Sequence, residues 1–251
     1  MTAEWRIEDG PLGRVLIPPR LPENSGLFYT SKDFGGRLAA ASITLLSQFM
    51  RETFSIDVTF TSCNQVHGVA AQTVSSPLTP WVEYRDCDAL ITRLADVALG
   101  IKVADCLPVT LVDPDGHLVA NIHCGWRGAA GSIVTRTLHT AARTGLVLSS
   151  TLAYLGPSIR SCCLEVGEEV AESFQQNYPR AEEYFTRNRG TRPYLDIPAL
   201  TRQSLLDCGV PAAQIFDSEI CTRCDGSIFH SYRRDGKTGG RNLAVVAQTI
   251  R

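Results

Sequence analysis

Apolar positions along this chain follow two patterns, and each predicts a different kind of element. Short runs of apolar and β-branched residues, bounded by Gly, Pro, Asn or Asp, indicate buried strands. Longer segments place apolar residues three or four positions apart, which indicates helices with one buried face. The predicted strands lie at residues 55–62, 88–92, 97–103, 108–112, 117–123, 152–156, 214–222, 227–234 and 242–250. The predicted helices lie at residues 37–54, 129–145, 167–178 and 197–209.

The order of these elements predicts the fold class. Strands and helices do not alternate regularly, which argues against a Rossmann fold or a TIM barrel. Sheets covered by helices remain, so we predict an α/β (α+β) fold in which mixed sheets are sandwiched between helices. A chain of 251 residues suits one large domain or two small ones, and we predict a single domain over residues 1–251.

Composition and charge narrow the class of protein. The hydrophobic fraction of 44% is enough for a substantial core, and the 24 Lys and Arg residues nearly balance the 26 Asp and Glu residues. A net charge of −2 gives no electrostatic reason to expect a nucleic acid or a membrane surface as partner. The acidic N-terminal segment lacks the apolar core of a secretory signal, which favours a cytoplasmic location. Nine cysteines, an odd number, indicate reduced thiols rather than a disulfide framework.

A thiol and an imidazole flank one predicted pair of strands. Cys106 precedes the strand at 108–112, and His123 ends the strand at 117–123, with the turn "DPDG" between them. His67 lies in "NQVHG", after another predicted strand. Two imidazoles and one thiolate suit zinc and leave a fourth position open, although copper accepts the same ligands. Spacing alone favours ordinary packing roles for all three, since ligands so far apart in sequence do not form a motif.

Neighbouring residues add candidate acid-base and anion-binding groups. Asp105, beside Cys106, suits a general acid or base, or a partner for a metal-bound histidine. Arg127 and the glycines of "HCGWRGAAG" lie at the start of a predicted helix, where exposed amides favour an anion. Close packing of those glycines against a sheet is an equal alternative. A second cationic group contains Arg233, Arg234, Lys237 and Arg241. Such a group is typical of a solvated hairpin and less often contacts phosphate.

Four further cysteines raise the question of a second metal site. Cys221 and Cys224 have the two-residue gap of half a zinc finger, but the sequence contains no second pair with this gap. Cys162 and Cys163 are adjacent, which is a poor geometry for joint chelation. We therefore predict that these four residues are structural thiols.

Several of these stretches together resemble a known family. In chain order they are "NQVHG", "DALIT", "ADCLPV", "HCGWRG", "YLGPSI", "EVGEEV", "ICT" and "SYRRDGKTGGR". They are similar to the motifs of the laccase-domain or polyphenol oxidase family, now described as multifunctional purine nucleoside phosphorylases and, in bacteria, also as peptidoglycan editing factor. The resemblance runs from about residue 60 to the C-terminus. Before that point "YTSKDFGGRL" keeps only Lys32 and the glycine pair of the family pattern.

The resemblance implies a site, a fold and a set of reactions. It implies that His67, Cys106 and His123 bind zinc, and that the fold is akin to bacterial cytotoxic deamidase toxins in a monomer or homodimer. The implied reactions are phosphorolysis of adenosine, inosine, guanosine and methylthioadenosine, and deamination of adenosine. We expect Asp105 to carry the proton to the leaving group and Arg127 to hold phosphate, with Cys106 counted among the catalytic residues.

Three alternatives stay open. A copper-dependent polyphenol oxidase fits the older family label, but a four-copper enzyme needs more than the five histidines present. A metal-independent cysteine hydrolase would use Cys106 as nucleophile and His123 as its base. A zinc-stabilised binding module would have no turnover with nucleosides.

Overall fold

The computed structural model describes residues 4–34, 40–76, 82–113, 118–187 and 190–249. The strands are β1 (Arg6–Gly10), β2 (Gly13–Ile17), β3 (Ser25–Thr30), β4 (Thr59–Cys63), β5 (Ala71–Val74), β6 (Val82–Tyr84), β7 (Ala89–Thr92), β8 (Val97–Val103), β9 (Leu107–Val112), β10 (Val119–Cys124), β11 (Leu152–Leu155), β12 (Phe185–Thr186), β13 (Tyr194–Leu195), β14 (Ile215–Asp217) and β15 (Asn242–Gln248). The helices are α1 (Ala40–Phe54), α2 (Trp126–Ala130), α3 (Ile133–Arg143), α4 (Glu168–Gln175), α5 (Ile197–Asp207) and α6 (Tyr232–Asp235). Short 3₁₀ helices lie at Lys32–Phe34, Ala181–Tyr184, Ala212–Gln214 and Gly236–Thr238.

Two large mixed sheets form the centre of the fold. One has seven strands in the order β1-β2-β3-β15-β8-β4-β6, and the other has six in the order β14-β11-β9-β10-β7-β5. In the first sheet β4 is parallel to β6 and β8, whereas the remaining pairs are antiparallel. In the second sheet β11 is parallel to β14 and β5 is parallel to β7. The predicted mixed α+β class is therefore confirmed.

The two sheets pack face to face, and helices cover their outer faces. Asn121 of β10 donates to the carbonyl oxygens of Leu99 and Ala244, at 3.0 and 2.9 Å, and so joins the two sheets directly. The outer face of the seven-stranded sheet packs against α1, and that of the six-stranded sheet packs against α2 to α5. The predicted arrangement of mixed sheets between helices is confirmed. The likeness to deamidase toxins and the single domain stay predictions.

Several predicted elements differ from those observed. The strand predicted at 227–234 is wrong: its second half forms α6, because the Ser231 hydroxyl caps this turn by accepting the Arg234 N–H. The helix predicted at 129–145 is two helices, separated at Ser132, whose φ of 61° is left-handed. Strands β1 to β3 were not predicted. The predicted turn "DPDG", apart from Asp113, and the start of the helix at 37–54 lie outside the described residues.

Other elements follow the sequence closely. The helix predicted at 197–209 is α5, where the Asp196 carboxylate accepts the Ala199 N–H and Pro198 occupies the first turn. Helix α4 lies inside the range predicted for it. Among the described residues, no helix is both long enough and apolar enough to cross a membrane.

Candidate metal centre

The strand register explains why a thiol and an imidazole flank the hairpin of β9 and β10. In this antiparallel pair His123 lies opposite Pro108, and Cys124 lies opposite Leu107. Cys106 immediately precedes β9, and His123 lies near the end of β10. The antiparallel pairing therefore places both residues at the same edge of the sheet. The hairpin alone therefore brings Cys106 and His123 together.

A second pair of strands brings His67 to the same edge. β5 and β7 are parallel, with Ala71 opposite Ala89, so the segments that precede them lie side by side. His67 precedes β5 and Asp88 immediately precedes β7. The Asp88 carbonyl oxygen accepts the N–H of His123 at 2.7 Å, which joins this pair of strands to β10.

The three side chains are close enough to share one metal ion. The ligand atoms of His67, Cys106 and His123 all lie within 4.8 Å of one another. The two imidazole rings are 4.8 Å apart between centroids and nearly perpendicular, at 79°. His123 is buried, Cys106 is half-buried and His67 is exposed, so the group has a buried and an open side. Spacing alone favours packing roles for these residues, whereas their proximity favours a shared ion such as zinc, with a fourth position left open.

Asp88 orients this centre and was missed as a functional residue. One carboxylate oxygen, Oδ1, lies 2.7 Å from His123 Nδ1 and accepts the His67 N–H at 2.9 Å. The other, Oδ2, accepts the N–H groups of Val66 and Gly68 at 3.2 and 2.7 Å. Asp88 is fully buried, and its contact leaves the Nε2 atom of His123 for the metal. The sequence pattern "DALIT" predicts only a strand, although a carboxylate that opens a buried strand is a signal for such a role.

The backbone at the centre is held in an uncommon conformation. His67 has a φ of 59° and Asp105 a φ of 83°, both in the left-handed region that non-glycine residues rarely adopt. Three backbone N–H groups around His67 bond to one carboxylate, which compensates for this conformation. Such positions cluster at functional sites because the surrounding structure holds them in place.

Contacts between the side chains set their charge states. Burial alone would raise the pKa of the Cys106 thiol, but hydrogen bonds from His123 and His67 outweigh it and lower that pKa to about 6. Burial opposes a charged His123, yet Asp88 and Cys106 raise the pKa of this imidazole to about 9. Burial would also raise the pKa of Asp88, and the His123 contact lowers it below its ordinary value. Without a metal, both shifts favour a thiolate at Cys106 beside an imidazolium at His123 at neutral pH.

Gly125 leaves room for the ligands. A Cβ atom at this position would lie 3.1 Å from Cys106 Sγ and 3.1 Å from the His67 ring. Gly128 and Gly131 serve packing instead, since a Cβ would lie 3.0 Å from the Gly68 carbonyl oxygen and 2.5 Å from Val69 respectively. Two of the three glycines in "HCGWRGAAG" are therefore closely packed, although the contacts are with the loop before β5 and not with a sheet.

Asp105 lies beside the centre and is held by two hydrogen bonds. Its Oδ1 accepts the Thr222 hydroxyl and its Oδ2 accepts the Arg233 N–H, both at 2.6 Å. The partner of the candidate metal-binding His123 is Asp88, so the role of histidine partner considered for Asp105 is wrong. Its place in the wall of the cleft is compatible with proton transfer.

The centre opens into a cleft of about 700 Å³. Trp126 and Tyr232 supply aromatic surface, and the Arg127 guanidinium lies 4.3 Å from the centroid of the Trp126 ring. Helix α2, which carries Arg127, has only five residues, and Arg127 is exposed. The cationic side chains that line the cleft are Lys102, Arg127, Arg233 and Arg241.

The cationic segment predicted as a hairpin has divided roles. Arg233 lines the cleft, where its guanidinium donates to the carbonyl oxygens of Cys163 and Glu165. Arg234 instead donates to the carbonyl oxygens of Thr222 and Phe229 and so fixes the local loops. The predicted hairpin is therefore wrong, because α6 replaces it. The predicted exposure is confirmed for Arg233, Arg234 and Lys237.

The four further cysteines also converge. The sulfur atoms of Cys162, Cys163, Cys221 and Cys224 all lie within 4.8 Å of one another. Adjacency predicts a poor chelating pair for Cys162 and Cys163, yet the turn around them brings both sulfur atoms within 3.8 Å of Cys224 Sγ.

Comparisons with known proteins are consistent with this geometry. A family model described as multi-copper polyphenol oxidoreductase laccase matches residues 39–249. Adenosine deaminase RL5 from an unknown prokaryotic organism is 40% identical over 160 residues, which are 63% of this chain and 61% of that protein. Purine nucleoside phosphorylase YlmD of Geobacillus stearothermophilus is 34% identical over 199 residues, which are 74% of this chain and 71% of that protein.

Solved structures extend the likeness over nearly the whole chain. The crystal structure of YlmD from Geobacillus stearothermophilus matches with a TM-score of 0.83 at 27% identity, covering 97% of this chain and 99% of that one. The Bacillus licheniformis hypothetical protein YfiH matches with a TM-score of 0.84 at 23% identity, covering 99% and 100%. The second likeness shows the fold alone.

Proposed function

This chain belongs to the family described as multi-copper polyphenol oxidoreductase laccase, and within that family we propose that it is a zinc-dependent purine nucleoside phosphorylase. Its proposed substrates are phosphate and adenosine, inosine, guanosine or methylthioadenosine, and it also deaminates adenosine. The names of two relatives, a purine nucleoside phosphorylase and an adenosine deaminase, support purine nucleosides as the substrate class. A cytoplasmic location and a monomer or homodimer stay predictions.

The observation that carries this proposal is a two-histidine, one-cysteine centre in the wall of a cationic cleft. His67, Cys106 and His123 would hold the zinc ion, with Asp88 fixing His123. A bound zinc ion supplies a Lewis acid that activates water and polarises substrate oxygen atoms. The cations of the cleft provide the charge needed to hold phosphate, and Arg127 is exposed at its wall.

Both reactions need a proton at the departing group. In phosphorolysis a phosphate oxygen bonds to the ribose C1′ while the bond from C1′ to the purine nitrogen breaks, and the base leaves with a proton on a ring nitrogen. In deamination a water oxygen bonds to purine C6 and the bond from C6 to the amino nitrogen breaks. One proton of that water goes to the amino group, which leaves as ammonia, and the other stays with the product. Asp105, beside Cys106 in the cleft wall, is the group we assign to this transfer, and the Thr222 and Arg233 contacts fix its carboxylate.

The experiment follows products rather than substrate loss. Purified protein of known metal content is incubated with adenosine, with and without phosphate, and adenine, inosine and hypoxanthine are resolved by chromatography. We expect adenine only with phosphate, and inosine in both cases. Cys106→Ala should lose most zinc from the centre and all turnover. Full activity in that variant, or no product from any purine nucleoside with the zinc-loaded protein, contradicts the proposal.

A cysteine hydrolase is the second candidate, and one observation favours it. Asp88, His123 and Cys106 are arranged as carboxylate, imidazole and thiol, with the pKa of the thiol lowered to about 6. His67 is not needed in such a triad but is needed for a metal, and its ring lies against that of His123. Removal of the metal by a chelator separates the candidates, since a cysteine hydrolase stays fully active.

Copper chemistry is the third candidate because of the description of the family. Two histidines and one cysteine also suit a copper centre that absorbs visible light. Elemental analysis and a visible spectrum distinguish the two metals. We expect a colourless zinc protein, and a coloured copper protein that oxidises phenols would replace the proposal.

A further inference from the structure

Four thiols outside the candidate metal centre form a compact group. Cys162 Sγ lies 3.6 Å from Cys163 Sγ and 3.8 Å from Cys224 Sγ, and Cys163 Sγ lies 3.4 Å from Cys224 Sγ. Cys221 Sγ is the fourth member, and all four sulfur atoms lie within 4.8 Å of one another. We propose that these residues form a second, structural zinc site with four thiolate ligands.

The spacing of the sulfur atoms matches a tetrahedron around zinc. Zinc binds thiolate sulfur at about 2.3 Å, so the edge of a regular ZnS₄ tetrahedron is about 3.8 Å. The distances from Cys162 and Cys163 given above, from 3.4 to 3.8 Å, lie near this edge length. A zinc ion therefore fits this group with only small movements of the side chains.

The backbone holds the two cysteine pairs opposite each other. The cysteines follow the ends of the parallel strands β11 and β14, which continue into a bridge between Ser158 and Cys221. The Ser158 N–H donates to the Ile220 carbonyl oxygen at 3.2 Å, and the Thr222 N–H donates to the Ser158 carbonyl oxygen at 3.0 Å. A turn that starts at Arg160, where the Cys163 N–H donates to the Arg160 carbonyl oxygen, then directs both adjacent cysteines to the group.

A positively charged side chain lies beside the four sulfur atoms. The Arg223 guanidinium donates to Cys163 Sγ at 3.4 Å, which places a positive charge beside the ligands. Four thiolates around Zn²⁺ carry a net negative charge, and this arginine offsets part of it.

The arrangement of burial suits a structural site with an entry path. Cys163 and Cys221 are buried, whereas Cys162 and Cys224 are exposed, so an ion can reach the group from solvent. Four protein ligands leave no open position for substrate, which is the arrangement of structural rather than catalytic zinc.

This zinc would also stabilise the cleft. Thr222 lies between Cys221 and Cys224 in sequence, and its hydroxyl donates to Asp105 at 2.6 Å. Arg233, which donates to the other oxygen of Asp105, is bonded through its guanidinium to the carbonyl oxygen of Cys163. An ion that joins the two cysteine loops therefore fixes both groups that hold the Asp105 carboxylate.

Metal counting on the full chain under reducing conditions tests the proposal independently of activity. We expect two zinc ions per chain in the unmodified protein, one in Cys106→Ala, one in Cys224→Ala and none in the double variant. Cys208→Ala is the matched control, since Cys208 is a half-buried thiol outside both groups; it should keep two. Two zinc ions in Cys224→Ala, or none in Cys106→Ala, would overturn the second site without affecting the proposed reactions.

Alkylation of the unmodified protein gives a second measurement. Because it needs no substitution, a folding defect of a variant cannot affect the result. With zinc bound, the exposed Cys162 and Cys224 should react slowly with a maleimide, and chelation under reducing conditions should accelerate their reaction while Cys208 changes little. Equal rates before and after chelation would refute the site. Iron rather than zinc in the group, or a disulfide that persists in the as-purified protein, would also overturn the assignment.

Discussion

Replacing Asp88 by asparagine tests the candidate centre at its least obvious residue. The Asp88 carboxylate receives four donors: the Nδ1–H of His123 and the backbone N–H groups of Val66, His67 and Gly68. Asparagine has nearly the same shape, but it is neutral and its amide has a single oxygen. Two of the four donors would then face an NH₂ group or lose their partner.

The expected effect on metal affinity follows from this loss. Removing the carboxylate behind a metal-bound histidine typically weakens metal binding by about 10–100-fold, or about 1.4–2.7 kcal/mol. Buried N–H groups left without an acceptor cost about 1–3 kcal/mol each, so the free energy of unfolding of the metal-free protein should also fall. We expect weaker zinc binding in Asp88→Asn with the three ligands still present.

Competition with a chromophoric zinc chelator measures this affinity, and urea unfolding measures the stability. Asp86→Asn is the matched control, because Asp86 is an exposed carboxylate two residues away that bonds Asn64 rather than the centre. The control should bind zinc as tightly as the unmodified protein. Unchanged zinc affinity in Asp88→Asn, or an equal loss in both variants, would refute the assigned role of Asp88.

Three further predictions concern the same cleft. Arg127→Ala should raise KM for phosphate more than it slows adenosine deamination, as steady-state kinetics of both reactions would show; equal losses would exclude a selective phosphate role. Gly125→Ala should weaken zinc binding, measured by chelator competition, because its Cβ would lie 3.1 Å from Cys106 Sγ and from the His67 ring, whereas its φ of −77° accepts alanine. Zinc affinity should rise about tenfold per pH unit from about pH 7 to about pH 9 and then level off. In this range the metal displaces one proton from His123, whose pKa is raised to about 9, whereas Cys106, with its pKa of about 6, is already mostly a thiolate. Calorimetry in buffers of different ionisation enthalpy counts that proton, and affinity independent of pH over this range would contradict the assigned charge states.

How far the sequence predicts this site depends on the distance along the chain between its parts. Cys106 and His123 flank one hairpin, so a strand pattern and antiparallel pairing are enough to bring them together. His67 joins them only through the parallel pairing of β5 with β7, and β5 was not predicted because its four residues carry little periodicity. The family resemblance therefore predicts the metal set, whereas spacing alone does not.

Asp88 and the cysteine group show what local patterns leave out. Asp88 was included in a strand, and its role depends on the turn at His67, whose left-handed backbone no periodicity indicates. Adjacency alone predicts a poor chelating pair at Cys162 and Cys163, because it leaves out the turn that follows β11. Likewise the strand predicted at 227–234 fails because contacts of Arg234 with distant carbonyl groups favour a helical turn.

The central claim is that His67, Cys106 and His123 bind one zinc ion. It is tested most directly by X-ray data collected on crystals of the protein just above and just below the zinc absorption edge. We predict an anomalous peak that appears only above the edge, bounded by Cys106 Sγ and the imidazole nitrogens of His67 and His123. A peak at the copper edge instead, or no peak at these three side chains in protein that contains zinc, would contradict the account.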